Sequence, residues 1–147
     1  MAVLEGRSGQ AVSGRATFTT MVDGGVRITL ELRGATPGPH AVHLHTVGDC
    51  SAPDASSAGP HFDPDQHPHG GPGHTPHHAG DFGNMSVGTD GRGYLELVSP
   101  DLTLDSGPRG IVGRSLVVHE KADDLASQPA GNSGARIACG VVVRASP

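Results

Sequence analysis

The chain has 147 residues, 35% of them hydrophobic but only 3% aromatic, with one tyrosine and no tryptophan, so a core must come from Val, Leu, Ile and Ala. That length suffices for one domain, residues 1–147, with a sizeable core. A formal charge of −5 without a basic stripe argues against a nucleic-acid binder, and no apolar run approaches the roughly 18 residues that span a bilayer.

In chain order, Met1–Gly6 has no basic segment followed by an apolar one, so no signal peptide is visible there. Val26–Arg33 reads VRITLELR, with Val26, Ile28, Leu30 and Leu32 alternating against polar residues, the period-two pattern of a half-buried strand. Shorter strand-like runs are Ala2–Glu5, Arg15–Thr19, Ala41–His45, Asn84–Val87, Gly93–Val98, Arg114–His119 and Ile137–Arg144. Turn signals such as Asp23-Gly24-Gly25, Pro37-Gly38-Pro39 and Asp90-Gly91 separate them, and no stretch keeps a 3.6-residue period. About eight short strands with this punctuation predict an all-β antiparallel sandwich or barrel. Two long loops, near residues 48–83 and 120–136, interrupt the spacing.

Several of these segments carry chemistry. In Ala41–His45 the side chains of His43 and His45 share one face of a strand while Val42 and Leu44 take the other. Such a pair is either half of a rigid metal site or two exposed strand histidines. His40 shares the parity of Val42 and reads as structural, bonded to backbone. His61–Asp81 holds six of the ten histidines and ends in a carboxylate, with enough glycine and proline to exclude helix or long strand. A loop that long is usually functional or disordered. Its composition suits either a built metal site or a surface tract that chelates metal loosely. Spacing does not choose between His67 and His69, or among His74, His77 and His78. His119 closes an apolar strand, where a lone histidine is more often packed or capping than a ligand. Glu120–Ala135 is polar and contains Lys121, the one lysine, with Asp123 and Asp124; Arg136 follows. Cys50 and Cys139 are far apart and by default unrelated thiols in a reducing cytosol. If paired, they would close a loop worth about 4–5 kcal/mol in the chain-entropy model.

Taken together, HAVHLHTVGDC, SAGPHFDP, HGGP, HHAGDFGN, GIVGRSLVVHEKADD and GNSGARIACGVV resemble, in order, the motifs of the copper/zinc superoxide dismutases. That family is itself a standard instance of the immunoglobulin-like sandwich and of electrostatic steering. The resemblance covers most of the chain, the first forty residues fitting only in strand pattern. It implies a Greek-key β-sandwich or barrel with two long functional loops, and dismutation of superoxide to dioxygen and hydrogen peroxide. Copper (Cu2+/Cu+) would be reduced by one superoxide and reoxidised by the next, with His61 parting from copper to take a proton. His43, His45, His61 and His119 match copper ligands. His61, His69, His78 and Asp81 match ligands of a structural Zn2+, making His61 the shared bridge. Four nitrogens suit a redox-cycling copper, and three imidazoles with a carboxylate suit zinc. Asp123 matches the carboxylate that orients one ligand of each metal. Arg136 matches the arginine beside copper, catalytic together with His61, and Cys50–Cys139 matches the intrasubunit disulfide. Lys121 is expected in the channel wall as a steering charge. His67, His74 and His77 match nothing with a role.

The departures are specific. Glu120–Ala135 is shorter and less charged than its eukaryotic counterpart, and Ala130 stands where those enzymes usually carry threonine. Arg144 falls where the eukaryotic dimer buries an apolar side chain, which implies a homodimer of different geometry, or a monomer. With the Cys50–Ala58 insert, these features resemble bacterial members. They imply an exported protein, periplasmic or extracellular, without its leader; a cytoplasmic location is the alternative. The competing function is a non-enzymatic copper/zinc-binding or metallochaperone-like domain. No nucleic-acid or membrane partner is implied.

Overall fold

The computed structural model describes residues 1–144. Eight strands run β1 Ala2–Gly6, β2 Ser13–Thr20, β3 Val26–Arg33, β4 Gly38–His45, β5 Asp81–Val87, β6 Gly93–Ser99, β7 Ser115–His119 and β8 Arg136–Val141, with one 3-10 turn at Ser56–Ala58. They close into an antiparallel barrel in the order β1-β2-β3-β6-β5-β4-β7-β8. Pairing of Glu5 with Cys139 and Gly6 with Ala138 seals it. The steps from β3 to β4 and from β6 to β7 join strands that are not neighbours in the barrel, the crossovers of a Greek key. The expected all-β fold is therefore the observed one.

The alternation in β3 sends Val26, Ile28, Leu30 and Leu32 inward, each at most 1% exposed. Leu4, Leu44, Met85, Leu116 and Val118 meet them from the other strands, so aliphatic side chains fill the barrel as the composition requires.

β4 and β7 differ from the outer strands, because both of their faces are covered. Val42 and Leu44 enter the main core, while His43 and His45 turn the other way and are still buried. In β7, Leu116 and Val118 face the core, and Val117 packs with Ala55, Ala58 and Cys139 beneath the first long loop. The two long loops, one after β4 and one after β7, therefore lie over this face of β4 and β7. That second, covered face is where polar side chains can be both rigid and dry.

Three strand ends depart most from expectation. β4 begins at Gly38, inside the expected turn signal, where Gly38 and Pro39 pair with Val87 and Ser86. β5 begins at Asp81, because a register shift between Ala41 and His43 lets Asp81 pair with His43. β8 stops at Val141; beyond it Val142 bonds Arg114 and Gly113, and the Val143 N–H donates to the Met1 carbonyl. Arg144 is exposed and donates to the Leu104 carbonyl at 2.8 Å.

Candidate metal centre

Four histidines meet on the covered face. His43 and His45 come from β4, His119 from the end of β7, and His61 from the first long loop, which a bridge to His45 fixes against the barrel. Each ring is tied at one nitrogen. His43 Nε2 donates to Asp123 Oδ2 at 2.7 Å, His45 Nδ1 to the Gly59 carbonyl at 2.8 Å, and His119 Nδ1 to the Gly134 carbonyl at 3.4 Å. These acceptors put the proton on the outer nitrogen and leave the lone pair on the inner one.

The inner atoms, His43 Nδ1, His45 Nε2, His61 Nε2 and His119 Nε2, are buried and have no hydrogen-bond partner. A buried polar atom without a partner costs about 1–3 kcal/mol. Four such atoms belong to one group whose ligand atoms lie within 4.8 Å of one another. A cation that accepts nitrogen lone pairs removes all four penalties at once, so these residues fit a metal. Burial lowers the pKa of His43, and lowers those of His45 and His119 well below the ordinary value. It takes His61 to about 4, so all four rings are neutral at pH 7.

A second convergence lies on the other side of His61. Its Nδ1 is 3.2 Å from His78 Nδ1 and 3.2 Å from Asp81 Oδ1. His69 Nδ1 and His78 Nδ1 lie 2.8 and 3.5 Å from the same oxygen. A tetrahedral ion with bonds of about 2.0–2.1 Å has ligand–ligand edges of about 3.3 Å, so these spacings suit zinc. Asp81 is aimed by its own backbone contacts: Oδ2 accepts from the amides of Gly70 at 3.0 Å and His78 at 2.8 Å, turning Oδ1 toward the rings. His43 also has a nitrogen within 4.8 Å of the atoms of His61, His69 and Asp81. Its Nε2 is committed to Asp123 and its Nδ1 to the first group, which leaves His78 as the better fourth member.

Asp123 joins the two groups. It is 3% exposed and accepts from His43 on Oδ2 and His69 on Oδ1, both at 2.7 Å. Burial opposes its ionisation, but those bonds hold its carboxyl well below the usual range; His61, His69 and His78 do the same for Asp81. Burial likewise disfavours charge on His69, yet Asp123 and Asp81 outweigh it and push the ring up to about 9.

Beside the first group a cavity of about 1010 Å³ opens, lined by His45, His61, His119 and Arg136 and walled by Ser127–Ala130 and Asn132–Gly134. Arg136 is half-buried and its Nη1 donates to the Ala55 carbonyl at 2.9 Å. Apart from histidines, Asp63 is the other ionisable residue in the lining.

The structure does not bring Lys121 there. Its amide and carbonyl pair with Ser133 and Ala41, its side chain is exposed, and it is absent from the cavity wall. His67 and His74 are exposed, and His77 donates to the His78 carbonyl at 2.6 Å outside both groups. His40 spends both nitrogens on backbone oxygens, of His119 at 2.8 Å and Thr36 at 2.7 Å, and is structural as read. Cys50 and Cys139 form a disulfide across 89 residues, pinning the first long loop to β8.

Two carboxamides escaped the sequence reading. Asn84 pairs its side chain with the backbone of Asp123, accepting from N–H at 2.7 Å and donating to C=O at 3.0 Å. Gln128 does the same to His69. Neither has a local motif, since the partners are 39 and 59 residues away.

The fold and site together are a closed Greek-key barrel carrying two adjoining histidine-rich groups, each able to hold a metal ion, with His61 in both. Residues 12–142 match the family described as copper/zinc superoxide dismutase (SODC), and the chain belongs to that family. Among solved structures it is similar to the clock protein EA4, with 40% identity over 95% of this chain and 90% of that one, and a TM-score of 0.85. It is also similar to a SOD-like protein from Bacillus subtilis, solved as a double mutant with a tyrosine and a proline replaced by histidine. There the identity is 37% over 97% of this chain and 96% of that one, with a TM-score of 0.87.

Proposed function

We propose that this chain, as one domain, dismutates superoxide: two superoxide anions and two protons become one dioxygen and one hydrogen peroxide. The observation that carries the proposal is the group of four partnerless imidazole nitrogens, opening onto a cavity whose non-histidine cation is Arg136. His43, His45, His61 and His119 would hold copper; His61, His69, His78 and Asp81 would hold zinc. Copper in the first site supplies alternating one-electron reduction and oxidation, and zinc, which is redox-inert, supplies order to the loop.

The protein's own residues then have distinct tasks. Arg136 keeps a permanent positive charge in the cavity of a net-negative protein, attracting a small anion and orienting it beside the histidines. His61 faces one site with Nε2 and the other with Nδ1, so a proton delivered to the substrate can be held at Nε2. Asp123 keeps protons on the outer nitrogens of His43 and His69, fixing both tautomers and raising ligand basicity. The neutral wall Ser127–Ala130 adds no competing charge, so local attraction rests on Arg136.

The second reading, a metal-binding domain without turnover, draws on the names of the two similar structures, a clock protein and a SOD-like protein. The complete set of four inner nitrogens and Arg136 in this chain favours the enzyme. The disulfide fits export to the periplasm or outside the cell, and exposed Arg144 fits a monomer or a dimer unlike the eukaryotic one. His119→Ala tests the enzyme reading. The variant should retain the fold and one zinc per chain while losing copper and all dismutation; full activity in the variant would refute it.

A further inference from the structure

Gln128 touches both halves of the centre. Its Oε1 accepts from the His69 amide at 2.7 Å and its Nε2 donates to the His69 carbonyl at 3.0 Å. A further bond from Nε2 to the Ala126 carbonyl at 2.9 Å fixes the carboxamide on its own loop. The amide thus supplies one rung of a ladder between the histidine loop and the loop after β7. The same residue, with Ser127, Pro129 and Ala130, walls the cavity beside His45, His61 and His119.

His69 is therefore gripped twice by one loop, through its ring by Asp123 and through its backbone by Gln128. The ring contact sets the tautomer and orientation. The backbone contact does something else: any displacement of the His69 main chain is passed to residues 126–130, and any displacement of that wall is passed back. The geometry points to Gln128 as a positioning residue that couples occupancy of the zinc site to the shape of the substrate cavity. This rests on the metal assignment proposed above.

The test uses the copper- and zinc-loaded full chain. Zinc affinity, measured by chelator competition, should weaken on the order of tenfold in Gln128→Ala. It should fall by less in Gln128→Glu, which retains an oxygen for the His69 amide. Ser127→Ala, a wall residue without a bond to His69, should leave zinc affinity unchanged. Azide binding to the copper, followed by absorbance, is the second readout. In the wild type its affinity should shift when zinc is withdrawn, and in Gln128→Ala that shift should be largely lost. A merely structural role for Gln128 would lower thermal stability but leave the zinc dependence of azide affinity intact, and that result overturns the inference. Equal zinc loss in Ser127→Ala and Gln128→Ala also overturns it. Failure of the wild-type chain to bind zinc would remove the metal assignment and the inference together.

Discussion

Asp123→Asn removes one charge and changes little volume, yet Asp123 bonds His43 of the first group and His69 of the second. Its two oxygens each accept a short bond, from His43 Nε2 and His69 Nε2 at 2.7 Å, in a site with no exposed side-chain surface. An asparagine must turn its NH2 toward one of the two rings, setting donor against donor. Hydrogen bonds to a charged group are worth about 1.5–3 kcal/mol each. Weakening one and losing the other should cost the metal-free protein about 3 kcal/mol, or roughly 6–12 °C in melting temperature for a chain of this size. Loss of such a supporting carboxylate lowers metal affinity by about 10–100-fold. Here the loss should appear at both sites, since each relies on one of the two rings. Thermal melts of the metal-stripped variant, with separate chelator competitions for copper and zinc, measure these effects. Unchanged affinity for either metal would refute the idea that Asp123 orients both.

Other outcomes follow from the same geometry. Arg136→Ala should slow the reaction and flatten its dependence on ionic strength, read from initial rates across a salt series; an unaltered salt profile would remove the steering role. Gly131→Ala places a methyl against the Asp123 carboxylate and 2.7 Å from His69 Nε2, at a φ of +70° that disfavours a side chain. It should disturb both metal sites with little change in the barrel, and wild-type zinc affinity would contradict this. The metal-free protein should be most stable near pH 6.5. Below that, the unfolded chain takes up protons that folded His61 resists until about 4. Above it, folded His69 keeps until about 9 a proton that the unfolded chain releases. Either shift is worth about 3 kcal/mol when complete. Urea midpoints from pH 4.5 to 9.5 should fall on both sides, and a midpoint that rises from pH 6.5 to 9 would refute the account of His69.

Some of this architecture was legible from local pattern. β3 was readable because one of its faces is dry and the other wet, which writes a period of two into the sequence. β4 was readable only in part. Its two faces are both covered, and what marks it is two histidines where a doubly buried strand would otherwise be apolar. The choice of His69 and His78 was not legible from spacing, because glycine and proline erase any period in that loop. What brings His69 and His78 to Asp81 is spatial: amides of Gly70 and His78 hold one carboxylate oxygen and turn the other toward the two rings. Asn84 and Gln128 were invisible for a related reason: they bond backbone atoms of distant segments, and backbone has no identity in a sequence. Lys121 stands out in the sequence as the one lysine, but composition says nothing of where it lies; in space it is exposed and outside the cavity lining.

The most direct test of the central claim is the decay of superoxide followed optically in the presence of chain loaded with one copper and one zinc. The account predicts catalytic decay far above that of free superoxide at neutral pH, lost when copper is withdrawn and slowed by added salt. Full occupancy of both metals with no acceleration at any of several pH values would contradict it and leave a metal-binding domain.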